Sequence, residues 1–511
     1  MNIAAHLPRV AAENPDGIAV ISGGAQLTFR ELDELSGRYA QGMVRYGIGR
    51  GKRTLVMVRA GVELIAVSYA LFKAGAVPVL IDPGMGRKAF LKCVEDLAPT
   101  SMVGIPLAHV ARIAFPSSFS SVKRFVTVGT RWFWGGANLA TFAQEPTPLL
   151  TAMEPSDEAA ILFTSGSTGP AKGVLYTHGI FNAQLDALRD LYGFQPGEVD
   201  LAAFPLFSLF DNALGMTSVI PELDPSRPAT CDPAKIVAAL RDNRCTTAFG
   251  SPAIWKRVVP WCEKHGVKLP GVKRVIIAGA SVPPLLIAQL RALIGGDVYT
   301  PYGATEALPV AAIAGTTIVE ETASRTTSGA GTCVGEPVIN VRIIPITDAP
   351  VSETIAVPGG HIGEICVRGP VVTETYMNRP EATAAAKIRD GGDIWHRMGD
   401  VGYLDERGRL WFCGRKSERV LTAQGPIFTD PVEGICNAQG ARTALVGVGR
   451  PGEQRPVLVV EGSPDPELAA RLKPLAKVDA VLFHPSFPVD VRHNAKIHRL
   501  ALGQWAAEQL A

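Results

Sequence analysis

Near the start of the chain, Phe29, Leu32, Leu35, Tyr39 and Met43 recur at roughly helical intervals, beginning at the capping-box pair Thr28 and Glu31 and ending at Gly47. The spacing predicts an amphipathic helix. Residues 54–58 then read as a buried strand, 62–74 as a helix stopped by Gly75, and 77–81 as the next strand, together a βαβ unit. The run 62–81 is the most apolar long stretch, but it contains Glu63, Lys73, Gly75 and Pro78. Charges and breakers at that density are too costly for a bilayer span, so no transmembrane segment is expected. The alternation returns with an apolar strand at 274–278, a helix over 284–293 and a strand at 298–299. This pattern predicts an α/β fold with helices layered on mostly parallel sheets.

The length, 511 residues, exceeds what one ordinary core organises, and a mix of 47% apolar with 19% charged residues can bury a large interior. A polar, charged run at 414–419 follows the strand-like 410–412 and suggests a boundary. The expectation is a large N-terminal domain, 1–415, and a small C-terminal α+β cap domain, 416–511. The cap carries strand candidates at 444–448 and 457–460 and helices around 466–473 and 498–509. The net charge of +2 comes from 50 basic and 48 acidic residues spread along the chain, which argues against a nucleic-acid partner. Eight scattered cysteines, from Cys93 to Cys436, form no C-x-x-C pair and read as reduced core thiols. The N-terminus lacks the basic region and unbroken apolar stretch of a signal peptide, so a cytoplasmic location is expected.

The most informative run is Thr164-Ser165-Gly166-Ser167-Thr168-Gly169-Pro170-Ala171-Lys172-Gly173, flanked on both sides by strand candidates. Its glycines permit close backbone approach, its hydroxyls can donate to phosphate oxygens, and Lys172 can neutralise charge. It is a phosphate cradle in composition. It is not a Walker A loop, because no G-x-x-x-x-G-K-[ST] register fits and a strand, not a helix, follows. Composition alone would equally describe a surface hairpin; the full ordered string decides. That string resembles the signature loop of the adenylate-forming superfamily, which includes acyl-CoA synthetases, luciferases and the adenylation domains of peptide synthetases.

The resemblance implies further motifs in order, and they follow. Tyr302-Gly303-Ala304-Thr305-Glu306, after a predicted strand, looks like the family's aromatic-Gly-x-Thr-Glu block. By resemblance Tyr302 stacks on adenine, Thr305 contacts the α-phosphate, and Glu306 holds Mg²⁺ on the triphosphate of ATP. Upstream, Gly279 and Ala280 resemble the segment lining the adenine pocket. In Arg397-Met398-Gly399-Asp400, Met398 stands where the family has threonine, and Asp400 is the position that holds the ribose hydroxyls, which a carboxylate can do by accepting two hydrogen bonds. Arg415 matches the entrance to the family's hinge, with Ser417 near the pivot. Lys496, in Arg492-His493-Asn494-Ala495-Lys496-Ile497, matches the lysine that enters the site for adenylation. An ammonium there offsets repulsion between the incoming carboxylate and the α-phosphate. Lys496, Glu306, Thr305 and Lys172 form the implied catalytic set.

Most acyl-CoA synthetases carry histidine in a Pro-Leu-Phe-His-like block, whereas this chain has Ser208 after Pro205-Leu206-Phe207. Strings such as Phe210-Asp211-Asn212-Ala213-Leu214-Gly215-Met216 and Gly331-Thr332-Cys333-Val334-Gly335 resemble the β-lactone synthetases of bacterial olefin biosynthesis. That family adenylates a long-chain 2-alkyl-3-hydroxy acid and closes the ring by attack of the acid's own 3-hydroxyl. The resemblance also implies possible assembly with the thiolase-like, reductase and β-lactone decarboxylase enzymes of that pathway, although no docking motif is visible. The substrate requires an apolar tunnel, for which 204–214 and 251–255 are the candidate linings. His178 and His493 are proton acceptors by type and are left outside the catalytic set. A long-chain acyl-CoA or acyl-AMP ligase is the alternative on the same scaffold. An inactive nucleotide-binding module is the alternative of another class, and the presence of Lys172, Glu306, Asp400 and Lys496 argues against it.

Overall fold

The computed structural model describes residues 1–164, 171–489 and 497–511. The early pattern folds as its periodicity requires. Thr28 caps the helix Phe29–Tyr46 in a reciprocal capping box with Glu31, and Gly47 ends it at φ 94°. The strand Arg53–Met57, helix Val62–Lys73 and strand Val77–Leu80 form the expected parallel unit. That helix is buried nearly all round, and Lys73 is accommodated because its Nζ reaches Asp33 Oδ1 at 2.6 Å. Among the described residues no helix is long and apolar enough to cross a membrane.

The architecture is α/β, with two layered sheets and a small C-terminal α+β unit. A seven-stranded sheet runs parallel from Ala137–Asn138 to Glu158–Thr164 and ends in the antiparallel edge strand Lys172–Thr177. The second sheet has fourteen strands. One half is parallel, through Thr217–Ile220, Val199–Ala202, Thr247–Gly250, Arg274–Ile277 and Asp297–Ala304. The other half is antiparallel, from Ala307–Ala314 to Asn340–Ile344. This antiparallel half goes beyond the sequence expectation. Strands such as Gly363–Arg368 are buried on both faces and leave no period-two pattern to read.

Past Arg415 the chain makes a single turn at Lys416–Glu418 and then a separate ribbon, Val420–Thr422 with Gly425–Ile427. A three-stranded sheet follows, in which Arg455–Glu461 lies between Thr443–Val448 and Ala480–His484. The helices Pro466–Ala476 and Arg499–Leu510 complete it. All eight cysteines are free and buried.

One buried ion pair ties the strand Asp393–Leu404 to its surroundings. Arg397 donates to both Glu364 oxygens, at 3.1 and 2.6 Å, and its remaining nitrogens reach the carbonyls of Thr347, Ala349 and Ala385. Lys416 Nζ approaches the same carboxylate at 3.2 Å. With both partners nearly inaccessible, removing one leaves an uncompensated charge. Glu364→Ala is expected to lower stability by about 3–5 kcal/mol, read as a shift in the denaturation midpoint, with Arg397→Met in the same chain recovering part of the loss.

Candidate active site

The described site residues converge on one cleft between the sheets. Lys172, Gly279, Ala280, Tyr302, Gly303, Thr305, Glu306, Asp400 and Arg415 all line it. Thr164 ends its strand opposite Lys172 in backbone register. Ser165, Gly166, Ser167, Thr168 and Gly169 lie outside the described residues, as do Lys496 and His493.

The tyrosine-to-glutamate block sits differently from its sequence reading. It does not follow a strand: Tyr302, Gly303 and Ala304 finish the strand Asp297–Ala304, and Thr305 and Glu306 make the hairpin turn into Ala307–Ala314. Ending at a tight turn presents both side chains at the cleft with their backbone pinned. The Thr305 carbonyl accepts from the Tyr176 hydroxyl, and the Glu306 carbonyl accepts from Thr373 N–H at 2.9 Å.

Tyr302 donates to Asp400 Oδ2 at 2.7 Å, and its ring lies 6.1 Å from that of Phe412. Asp400 and Arg415 are register partners on neighbouring strands, with Arg415 Nε 3.7 Å from Asp400 Oδ1. Burial and the Asp400 carboxylate push the Tyr302 phenol well above its usual range, so it stays a donor. Gly279 holds φ 99°, a left-handed conformation that suits glycine at the end of strand Arg274–Ile277.

Tyr376, which sequence reasoning missed, links two predicted residues. Its hydroxyl donates to Glu306 Oε1 at 2.6 Å while Lys172 Nζ lies 4.8 Å from its ring centroid. Lys387, also missed, approaches the same ring at 5.9 Å and donates to the Thr373 carbonyl. Burial pushes the Lys387 ammonium down to about 7, opposed by the Glu306 and Glu374 carboxylates. The only sequence signal for Lys387 was a cation among Ala384, Ala385, Ala386 and Ile388.

An aromatic wall leads away from this cluster. Tyr176 stacks on Phe181 at 4.8 Å, and Phe181 meets both Phe72, at 5.8 Å, and Phe210, at 6.2 Å. From Phe210 the wall continues through Phe207 to Phe249, stacked at 3.8 Å. Phe72 is buried in the core, so the wall runs on through Phe210. Of the two predicted linings, 204–214 contributes Phe204, Phe207, Leu209 and Phe210, and 251–255 contributes Ser251 and Ile254. Trp255 is instead core, and Ser208 is fully buried.

Asp200 and Asp211 also line the cleft, both buried, with Ser218 donating to Asp211 at 2.8 Å. Burial raises both carboxyls, and neither was singled out from sequence. His178 is structural: its Nδ1 accepts from Ile3 N–H at 3.2 Å, and burial lowers it to about 4.

The chain belongs to the AMP-binding enzyme family, whose model matches residues 7–377. It is 49% identical to the olefin beta-lactone synthetase of Stenotrophomonas maltophilia (strain K279a), over 100% of this chain and 98% of that one. It is 48% identical to the olefin beta-lactone synthetase of Xanthomonas campestris pv. campestris, over 99% and 98%. Its fold matches the amide bond synthetase McbA from Marinactinospora thermotolerans with a TM-score of 0.83 at 24% identity, over 98% and 99% of the two chains. It also matches the O-succinylbenzoate Coenzyme A Synthetase (MenE) from Bacillus subtilis, solved in complex with AMP, with a TM-score of 0.78 at 21% identity, over 97% of each chain. These relationships make it an AMP-forming ligase.

Two outcomes follow from the geometry. Tyr376→Phe removes a hydrogen bond to a carboxylate and is expected to slow adenylation about ten- to a hundredfold with the fold intact, measured by ATP–pyrophosphate exchange. The Asp200–Asp211 pair holds protons in the folded state that the unfolded chain releases. Its stabilisation is therefore present at low pH and lost as the pH rises through the raised values. Asp200→Asn is expected to flatten the fall in Tm between about pH 4 and pH 7.

Proposed function

We propose that the chain is an ATP-dependent β-lactone synthetase, acting on a long-chain 2-alkyl-3-hydroxy acid. The observation that carries the reading is the aromatic wall that runs from beneath Thr305 through Tyr176, Phe181, Phe210 and Phe207 to Phe249. An apolar run of this length supports binding the alkyl portion of a long-chain acid. The two curated relatives, at 49% and 48% identity, support the same reading.

In the first step the acid's carboxylate attacks the α-phosphorus of ATP and pyrophosphate leaves, so the poor oxide leaving group becomes part of AMP. Lys172 and residues 164–169 take the phosphates, Thr305 the α-phosphate, Asp400 and Arg415 the ribose, and Tyr302, Gly279, Ala280 and Gly303 the adenine side. Lys496 supplies the ammonium between the two reacting anions. In the second step the 3-hydroxyl attacks the acyl carbonyl, releasing AMP and a proton. The aromatic wall confines the acid so that its hydroxyl meets the carbonyl, and keeps water from the adenylate.

Mg²⁺ fits this site through Glu306, a hard oxygen donor with one carboxylate oxygen already oriented by Tyr376. Among the described residues no group of three or more His, Cys, Asp or Glu gathers, so the ion's other ligands would be phosphate oxygens and water. When bound it neutralises triphosphate charge. Residues 416–511 serve as the mobile cap, pivoting near Ser417 and carrying Lys496 to and from the cleft.

Purified enzyme with ATP, Mg²⁺ and the hydroxy acid is expected to yield β-lactone and AMP without CoA. Turnover that requires CoA and gives a thioester would replace this reading with the acyl-CoA ligase. Lys496→Ala is expected to reduce ATP–pyrophosphate exchange at least about a hundredfold, because the charge it stabilises develops in the transition state.

A further inference from the structure

The helix Pro106–Ala114 is inverted. Its inward face carries Ala108 and the fully buried His109, whose ring stacks on Trp134 at 5.2 Å, while Arg112 covers the Phe125 ring at 4.0 Å. Its outward face carries Leu107, Val110 and Ile113, spaced three apart and 66%, 41% and 44% exposed. A helix on a water-facing surface places such residues the other way round. Beside it, Trp132 and Phe133 project at 56% and 81% exposure, each with its ring within 6 Å of Trp134. Trp134 joins this loop to the helix through His109, and exposed apolar side chains gathered on adjoining elements mark a binding surface.

Charge identifies the occupant. Residues 84–135 contain seven basic residues, Arg87, Lys88, Lys92, Arg112, Lys123, Arg124 and Arg131, against Glu95 and Asp96. Both acids are engaged, Glu95 by Ser118 and Asp96 by Lys92 and Arg379. The segment is thus +5 in a chain that is +2 overall. Arg87, Lys88 and Arg131 are exposed around the patch, with Arg87 5.7 Å from the ring of Phe115 at the helix end. Apolar side chains with Trp and Phe, rimmed by cations, are what an anionic lipid interface selects.

The cleft reaches this surface, since Leu107, Ala111 and Phe115 line it together with Met85 and Phe90 across the gap. We propose that the helix Pro106–Ala114 and the loop at 131–134 dock peripherally on an anionic bilayer and open the cleft toward it. Long-chain acid then enters from the lipid without crossing water. Entry rests on the function proposed above; docking does not.

The full chain is mixed with phosphatidylcholine vesicles, with or without phosphatidylglycerol, and sedimented. Sedimentation is expected with the anionic vesicles only, lost at high salt, and reduced about tenfold in Val110→Ser/Phe133→Ser and in Lys88→Glu/Arg131→Glu. Both variants are expected to keep ATP–pyrophosphate exchange with a short, soluble acid. Failure to bind either vesicle overturns the proposal. So does binding that both variants retain, or a dimer of the parent that Val110→Ser/Phe133→Ser dissolves, which would assign the patch to a second copy of the chain. If docking holds and β-lactone forms from detergent-dispersed acid but not from vesicle-borne acid, entry from the lipid is overturned; if it forms from neither, the function proposed above fails and the docking surface stands.

Discussion

The carboxylate of Glu364 is the anchor for the end of the cleft that carries Asp400 and Arg415. It lies between Arg397 and Lys416, nearly inaccessible to water, and its two cations belong to different parts of the chain. Arg397 is three residues before Asp400 on one strand, and Lys416 immediately follows Arg415 on the next. The carboxylate therefore holds both strands at the ends where Asp400 and Arg415 face each other. Buried charges are costly to desolvate, and this pair is tolerable because the remaining donors of Arg397 find three backbone carbonyls. That requirement fixes the loop at 347–349 as well. Lys416 is also the first residue of the proposed cap, so movement of the cap would work against a contact made in the large domain.

Across the cleft a second constraint arranges charge around Tyr376. Lys172 and Lys387 both approach its ring, and the Glu306 carboxylate bonded to its hydroxyl offsets their charge. His396, paired in register with Lys387, is held neutral by burial and by that cation. The arrangement places positive charge beside Glu306 before any triphosphate arrives, which is preorganisation in the sense that matters for a developing anion.

Much of this was legible from sequence where a local rule has one solution. Thr28, Glu31 and Gly47 bounded a helix correctly because capping is chemistry within a few residues. The string from Thr164 to Gly173, Tyr302 to Glu306, and Asp400 were found because their order resembles a family. Tyr376, Lys387, Asp200 and Asp211 were not found. Tyr376 depends on Glu306, 70 residues before it. A single aspartate in the strand Val199–Ala202 looks like an edge residue until the fold buries it. The antiparallel half of the large sheet was read only at 410–412; in a strand such as Gly363–Arg368, burial on both faces erases the alternation by which strands are recognised.

Under the proposed function, the apolar half of the cleft sets the terms for ring closure. An acyl-adenylate is hydrolysed if water reaches it, and a four-membered ring forms only if the hydroxyl is held against the carbonyl through the strain. On that proposal both needs fall to the wall of Phe181 and Phe210, which meets the turn at Thr305 through Tyr176. The acid's own shape would then supply the nucleophile, and the protein's task would be to exclude every other one.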